Sequence, residues 1–540
     1  MGFDILDNAT VGQPIGFSLW ETHDLYDVNK DVWQKCRDCR AGEEAIKSKG
    51  QTYLPKLNGQ TDAEYEVYKD RAQFFNGTGR TIEAYLGMIF RKLPLYNFTQ
   101  DGKTSTELDE YMEQKFLSSV THDGMDFDTF LHSITEEVIT TNRVGILIDM
   151  PEINYDNENP LKLSDVEEMN LHPIVSMYKA ETIINWHTQT LNGQIVPVFF
   201  VLTEHRDRVQ PNSLKHELIN AYRILYLENW DDMPNRRYKV ITVEEERLNP
   251  GGFFVTGVTY PRINGEFMKS IPFYVLTDRG LDFRNIYPPM IEDLVNVNIG
   301  YYRNSADHEN ELHWTGIKSI VYPDWDVKVY GQPKVGGALA APKDCIPVLL
   351  EPSADSALDN AMRNKMEQMS ILGAERISQK GRYLPSAETA RITASTESSV
   401  LSNMITYMSL NLSRILQAMV NWAKPWISEW PGELKASVLI NSDLDNDLIT
   451  GADAKNWMDV LLQGGVSWDT YYSNMEKREA YPDGWTKDKE WKSLQITRRM
   501  LLDSELIMEP EQPDPQTQSS GTGGDVTVRP IGDKPRVRVS

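Results

Sequence analysis

The chain has 540 residues, more than one hydrophobic core accommodates, so several packed subdomains are expected. Hydrophobic residues make up 40 %, enough to fold. No long apolar run occurs, and the N-terminus (MGFDILDNATVGQPIG) lacks a basic stretch leading into an apolar one, so the sequence offers neither a membrane span nor a signal peptide and reads as made in the cytoplasm. Against 79 acidic residues stand 55 basic ones, a formal charge of -24, which disfavours a protein that grips nucleic acid statically through a basic face.

In chain order, residues 1–22 read as an arm without periodicity. A helix is expected from His23 to about Ser48, a second from Ala63 to Asn76 carrying Tyr65, Tyr68, Ala72 and Phe75, and, after punctuation at Gly77 and Gly79, a third from Arg80 to Arg91 with Ile82, Leu86, Ile89 and Phe90 inward. Helical stretches at Thr106–Leu117 and Phe127–Thr141 precede a short apolar strand, VGILIDM. Residues 156–170 are acidic and read as an exposed excursion. A β-rich block occupies 174–276: VSMY, a helical turn at ETIINWH, then a hairpin turning at Asn192-Gly193 and further strands ending in SIPFYVL.

From Pro288 to Trp422 three helix-like segments enclose one irregular segment. Pro288 and Pro289 open the first, whose stripe reads Ile291, Leu294, Val295, Asn298, Tyr301, Tyr302, Ser305 and Leu312. The second runs from Ser356 to about Gly373 with Leu358, Met362, Met366, Met369 and Leu372. The third carries Leu401, Met404, Ile405, Met408, Leu412, Ile415, Leu416 and Met419. Such thin stripes are expected to need neighbours, other copies of the chain among them. WAKPWISEWP then reads as a hinge, ASVLIN as a strand, and Ala452–Leu462, Ser467–Glu479 and Lys487–Leu502 as a small helical domain before a tail that composition marks as disordered.

The order of these parts, from YKDRAQFFNGTGRTIEAYLGMIFRKLP through EEVITTNRVGILIDMP, ETIINW, SIPFYVL and PPMIEDLVNVNIGYYRNSADHENELHW to ETARITASTESSVLSNMITYMSLNLSRIL, resembles the portal (head-to-tail connector) proteins of tailed bacteriophages over roughly residues 20–500. The resemblance implies an α+β portal fold with a β-rich wing, long stem helices, a small α/β clip and a helical crown. It divides the chain into an arm (1–22), wing (23–288), stem helix (289–314), clip (315–355), second stem helix (356–373), tunnel loop (374–389), long wing helix and hinge (390–435), crown (436–503) and tail (504–540). It implies a ring, normally of twelve subunits, at one capsid vertex of the virion, a channel for DNA packaging and ejection. Implied partners are the major capsid protein and a scaffold, the terminase large subunit, head-tail adaptor or tail proteins, and double-stranded DNA passing without sequence specificity, with no membrane and no cofactor.

On that mapping Glu292, Asp293, Asp307, Glu311, Asp359 and Glu367 line an acidic stem, while Arg376, Lys380, Arg382 and Arg391 make the tunnel loop basic. A like-charged wall keeps a duplex mobile. Trp325, Lys328, Tyr330 and Lys334 in the clip become the docking surface. Each signal has a plainer reading: the acidic faces as solvated helix surface, the loop arginines as salt bridges to a neighbouring subunit. Cys36 and Cys39 form a lone CxxC without a second ligand pair and read as ordinary thiols; His308 and His313, five apart and outside any HExxH, read as structural. No GxxxxGK[ST] or GxSxG occurs, so the chain reads as non-enzymatic; a metal-dependent nuclease or another packaging enzyme is the alternative from a different class.

Overall fold

The computed structural model describes residues 3–15, 21–150, 172–209, 214–246, 252–263, 265–316, 319–321, 348–350, 356–374, 387–423, 432–442, 444, 451–477, 481 and 487–505. The expected excursion at 156–170, the hinge at 424–431 and the tail from 506 lie outside the described residues. The architecture is mixed α+β, in two compact units, Met1–Asp445 and Asn446–Ser540.

The first unit begins with a short helix, α1 (Asp4–Asp7), and then α2 (Asp24–Ala41) and α3 (Glu43–Ser48). The single helix expected to Ser48 is broken at Gly42, whose φ of +100° no residue with a side chain adopts readily. In α4 (Asp62–Arg71) a capping box joins Thr61 and Glu64, and the helix stops before Ala72, so Phe75 is not on it. Gly77 and Gly79 do not punctuate. They open α5 (Gly77–Ile89), because the Asn76 side chain accepts the Gly79 N–H at 2.8 Å and caps the helix there. Ile82, Leu86 and Ile89 are buried as expected; Phe90 only packs against the core edge.

Sequence patterning passed over β1 (Leu95–Gln100) and β2 (Lys103–Thr104). Beyond α6 (Thr106–Tyr111), which runs into a π-helical turn, α7 (Phe127–Thr141) starts at an Asp126 cap and ends at Asn142 in the left-handed region. It leads into β3 (Val144–Asp149), which pairs antiparallel with β4 (Ile174–Lys179). The expected helical turn at ETIINWH is only a 3₁₀ turn at Ala180–Thr182; the β-branched pair that follows starts β5 (Ile183–Leu191).

A five-stranded antiparallel meander follows in chain order: β5, β6 (Gln194–Val209), β7 (His216–Glu228), β8 (Arg237–Glu245) and β9 (Phe253–Thr259). Asn192 and Gly193 make its first turn with φ of +51° and +76°, as the Asn-Gly pair predicts. Both faces of this sheet are covered. Trp186, Phe200, Leu225 and Tyr238 pack on one side against Phe273 and Val275, and Ile184, Val198, Ile224, Tyr226 and Val243 on the other against Leu6 and Ala9 of the N-terminal arm. After the short pair β10 (Arg262–Ile263) and β11 (Glu266–Phe267) comes β12 (Phe273–Thr277), the SIPFYVL segment. It joins β3 and β4, with β13 (Gly280–Leu281), in a separate four-stranded sheet. Gly145 of β3 is needed there: a Cβ would lie 2.4 Å from the Phe273 ring.

Three long helices follow: Glu292–Gly316, Ser356–Met369 with a π turn to Ala374, and Ala387–Ala423. Between the first two, β14 (Ser319–Val321) pairs with β15 (Val348–Leu350). The third helix corrects the expectation that its stripe needs another copy. Leu401, Met404, Ile405, Met408, Leu412, Ile415, Leu416 and Met419 are all buried within the single chain. Their cover includes β16 (Leu434–Leu439), whose alternate residues Leu434, Ala436 and Val438 face inward.

Strand β16 pairs with β1 and belongs to the first unit, which ends at Asp445. Its other edge is sealed by side chains of the 387–423 helix. Gln417 Oε1 accepts the Ala436 N–H at 2.8 Å, Ser413 Oγ the Val438 N–H at 2.9 Å and Ser409 Oγ the Ile440 N–H at 3.1 Å. In return Gln417 Nε2 donates to the Leu434 carbonyl at 2.9 Å. Spaced four apart, these three residues share one helix face and do for the strand edge what a further strand would do. The second unit contains helices Gly451–Leu462, Trp468–Lys477 and Lys487–Glu505, close to the expected bounds.

Candidate functional site

The helix Glu292–Gly316 follows Pro288-Pro289, and the Pro288 carbonyl is held by the Asn142 amide at 2.9 Å. Its inward face is Ile291, Leu294, Val295, Asn298, Ile299, Tyr302, Ser305 and Ala306, all buried. Of the expected stripe, Tyr301 is half-buried and Leu312 is 44 % exposed.

Polar latches run along most of its length. Asn298, fully buried, accepts from the Thr78 N–H at 3.1 Å and donates to the Phe75 carbonyl at 2.9 Å. Lys35 donates to Asn296 at 2.8 Å, Arg303 to the Tyr53 carbonyl at 2.8 Å, the Gln73 N–H to Ser305 at 3.2 Å, and the Tyr68 hydroxyl to Asp307 at 2.6 Å. Near the end Arg71 and His313 meet at 2.9 Å, which gives His313 a structural role. The first long helix is therefore no free strut: residues 35–78 clamp it from one side.

The helix Ser356–Met369 packs on a different flank through Met369 and Leu294, with Phe75, Val297 and Tyr301 around them. Gly300 lies beneath the Lys365 side chain, whose flexible ammonium end is 2.9 Å from where a Cβ would be. The pair ends at Gly373, where φ is +125° and a Cβ would fall on the Tyr85 hydroxyl; only glycine fits that kink. Of the expected second stripe Met369 alone is buried. Leu358 and Met362 are half-buried, Met366 and Leu372 are 42 % and 39 % exposed, and Ile371 beside them is 60 % exposed.

The six acidic residues expected to line a stem are not equivalent. Asp293, Asp359 and Glu367 are exposed. Asp359 shares its charge with Arg363, 3.1 Å away. Asp307 is spent on Tyr68, whose hydroxyl pKa burial and that carboxylate push upward. Glu292 is half-buried and near enough to Cys36 to add to the upward shift of its thiol, and Glu311 is half-buried. Tunnel-loop residues Arg376, Lys380 and Arg382, and clip residues Trp325, Lys328, Tyr330 and Lys334, lie outside the described residues. Arg391 falls on the backbone of the third helix; its side chain is outside the description.

Among the described residues no group of three or more His, Cys, Asp or Glu is placed to hold a metal. Cys36 and Cys39 are free and buried, with thiols pushed up by burial, Cys36 to about 12. No described helix is long and apolar enough to cross a membrane. Sequence reasoning missed the Asn298 latch, the Gly373 kink and the Ser409–Ser413–Gln417 ladder. Only the ladder had a signal, polar residues at a four-residue period beside an apolar stripe.

A family model described as a domain of unknown function (DUF4055) matches residues 289–423, the three long helices and what lies between them. No curated protein matches the chain. Among solved structures, a chain of the neck of an empty GTA particle computed with C6 symmetry is 8 % identical, with 85 % of this chain and 92 % of that one covered and a TM-score of 0.36. For the neck of a native GTA particle computed with C12 symmetry the values are 9 %, 75 %, 89 % and 0.33, and for the virion of a native gene transfer agent particle 10 %, 79 %, 95 % and 0.33. Scores this low do not by themselves establish a shared fold, and the chain is similar to these structures without being identified by them.

Proposed function

We propose that this chain is a ring-forming, non-enzymatic conduit for double-stranded DNA, a portal protein of about twelve copies at one vertex of a viral or virus-like particle. The observation that carries the reading is the helix Ser356–Met369. Among the described residues its buried contact is Met369 on Leu294, and Met366 on the helix, with Ile371 and Leu372 in the turn that follows, is exposed. Large apolar side chains grouped at one end of a helix pair are usual where another protein surface covers them. Copies arranged around an axis would cover this flank and carry Asp293 and Glu367 near the bore, where exposed carboxylates repel phosphates within about 8 Å at physiological salt. The order of parts in the sequence supports the same reading, and the segment between the two stem helices is the docking surface for a packaging motor and later for adaptor or tail proteins.

Negative-stain images of purified protein, viewed down the particle axis, test the proposal. Rings with a central hole wide enough for a duplex are expected. Material that stays single at every concentration, alone or with other particle components, would refute it. Turnover of DNA or ATP in the presence of Mg²⁺ would refute the non-enzymatic part.

A further inference from the structure

Arg143 stands just before β3 with its guanidinium against Trp186, in the apolar layer between the meander and the four-stranded sheet. We propose that its Nε–H and Nη2–H together bind one small monovalent anion, a halide or a carboxylate of the size of formate. The site lies within the first unit and does not depend on the ring.

Arg143 is 0 % exposed. Its Nε and Nη2 have no hydrogen-bond partner among the described residues, and Nη1 makes one long contact, 3.5 Å to the Asn285 carbonyl. The carboxylate whose charge acts on it, Asp282, is spent on other donors. Asp282 Oδ1 accepts the Arg284 and Asn285 N–H groups at 2.9 and 3.2 Å, and Oδ2 accepts the Asn285 amide and the Tyr287 hydroxyl at 2.8 and 2.9 Å. The guanidinium lies 4.3 Å from the centre of the Trp186 ring, and His23 stacks 4.0 Å from that ring within 5° of parallel. Two groups so close to one indole take opposite faces, so the electron-rich surface that steadies the cation is already shared. Burial lowers the Arg143 pKa to about 10, with Asp282 opposing, which leaves it charged at neutral pH.

A buried cation held by a ring face and one long carbonyl contact is under-compensated. The two unpartnered N–H groups are the pair that lie parallel on one side of a guanidinium, the arrangement that takes both oxygens of a carboxylate or one halide between them. The same two atoms do this elsewhere in the chain: Arg37 donates from Nε and Nη2 to the two oxygens of Glu181, the second at 2.8 Å. A single positive charge also sets the ligand's charge, because a divalent ion such as phosphate would leave excess negative charge buried beside apolar rings. Residues 282–287, which carry the Asn285 carbonyl to the guanidinium, are all half-buried or exposed, so a shift of this one surface segment admits a small ion. A water molecule would satisfy the N–H groups and leave the charge unanswered, and the experiment separates the two.

Hydrogen-deuterium exchange of the full-length chain is read on peptides covering 142–149 and 282–287. Sodium bromide, and separately sodium formate, replaces sodium gluconate at constant ionic strength, gluconate being too bulky to enter. At ten times the half-saturating concentration, exchange should be roughly tenfold slower, because each opening must first release the ion. Arg143→Met should lose all dependence on the anion. Arg143→Lys, which keeps the charge without the parallel pair, should keep only a small part of it. Slowing by bromide alone identifies a halide site, and slowing by formate alone a carboxylate site. No slowing with either anion, or slowing of equal size in Arg143→Met, would overturn the proposal and leave water as the partner; equal slowing in Arg143→Lys would overturn the assignment to the paired N–H groups. In crystals soaked in bromide an anomalous peak bridging Nε and Nη2 is expected, and bromide found only at other positions would overturn the halide arm.

Discussion

Removing the Ser413 hydroxyl isolates what the polar ladder contributes. The Val438 N–H donates to Ser413 Oγ at 2.9 Å, Val438 is 3 % exposed, and β1 takes the strand's opposite edge. In Ser413→Ala that N–H loses its acceptor in a place water does not reach readily. An unsatisfied buried donor costs about 1–3 kcal/mol, which corresponds to a roughly 5- to 150-fold larger open population for the strand. Hydrogen-deuterium exchange read on peptides covering 434–440 should speed up within that range. Ser409→Ala should act likewise on the Ile440 amide. Thr406→Ala is the control, because its hydroxyl donates to Ser402 of its own helix and touches no part of the strand. If Ser413→Ala exchanges like Thr406→Ala, the edge is protected by something other than these side chains, and the reasoning fails.

Arg143 is buried with Nε and one terminal nitrogen unpartnered among the described residues, its guanidinium 4.3 Å from the centre of the Trp186 ring and its pKa lowered by burial to about 10. Replacing an incompletely paired buried ion by an apolar side chain of similar length is often neutral or stabilising, so Arg143→Met should leave the melting temperature unchanged or raise it; a fall of several degrees would contradict this. His23 stacks on Trp186 and accepts the Leu25 N–H through Nδ1, and burial, with Arg143 and His187 nearby and Asp24 opposing, lowers its pKa. A depressed imidazole favours the folded state while neutral. Its contribution is therefore present above the ordinary value of 6.5 and is lost as pH falls below it, and His23→Asn, which can still cap the helix, should flatten that acid limb of a melting-temperature profile. The thiols of Cys36 and Cys39, buried and pushed up, should resist iodoacetamide at pH 8 in the native protein and react fully in denaturant; rapid native labelling at either would refute the burial argument.

The readable parts of the sequence were those whose physics is local or periodic. The Asn192-Gly193 turn, the bounds of Phe127–Thr141 and the apolar stripe of the third long helix follow from dihedral preference, capping and a 3.6-residue repeat. What covers a stripe is not local. The third helix carries the same kind of pattern as the second, yet its stripe is buried by β16 and the helical core while Met366 and Leu372 of the second stay exposed.

By itself the sequence determined where the long helices and the meander strands fall, where acidic and basic side chains lie along them, and that the chain carries excess negative charge. Tertiary structure decided which of those charges are free: Asp307 answers to Tyr68, brought from 239 residues away, whereas Asp293, near the start of the same helix, faces water. It also decided that Asn298 is a latch, that Gly373 is a kink with no room for a side chain, and that SIPFYVL leaves the meander to pair with β3. A residue's chemistry is its own, but burial and partners come from chain segments far along the sequence, and no local pattern records which segments those are.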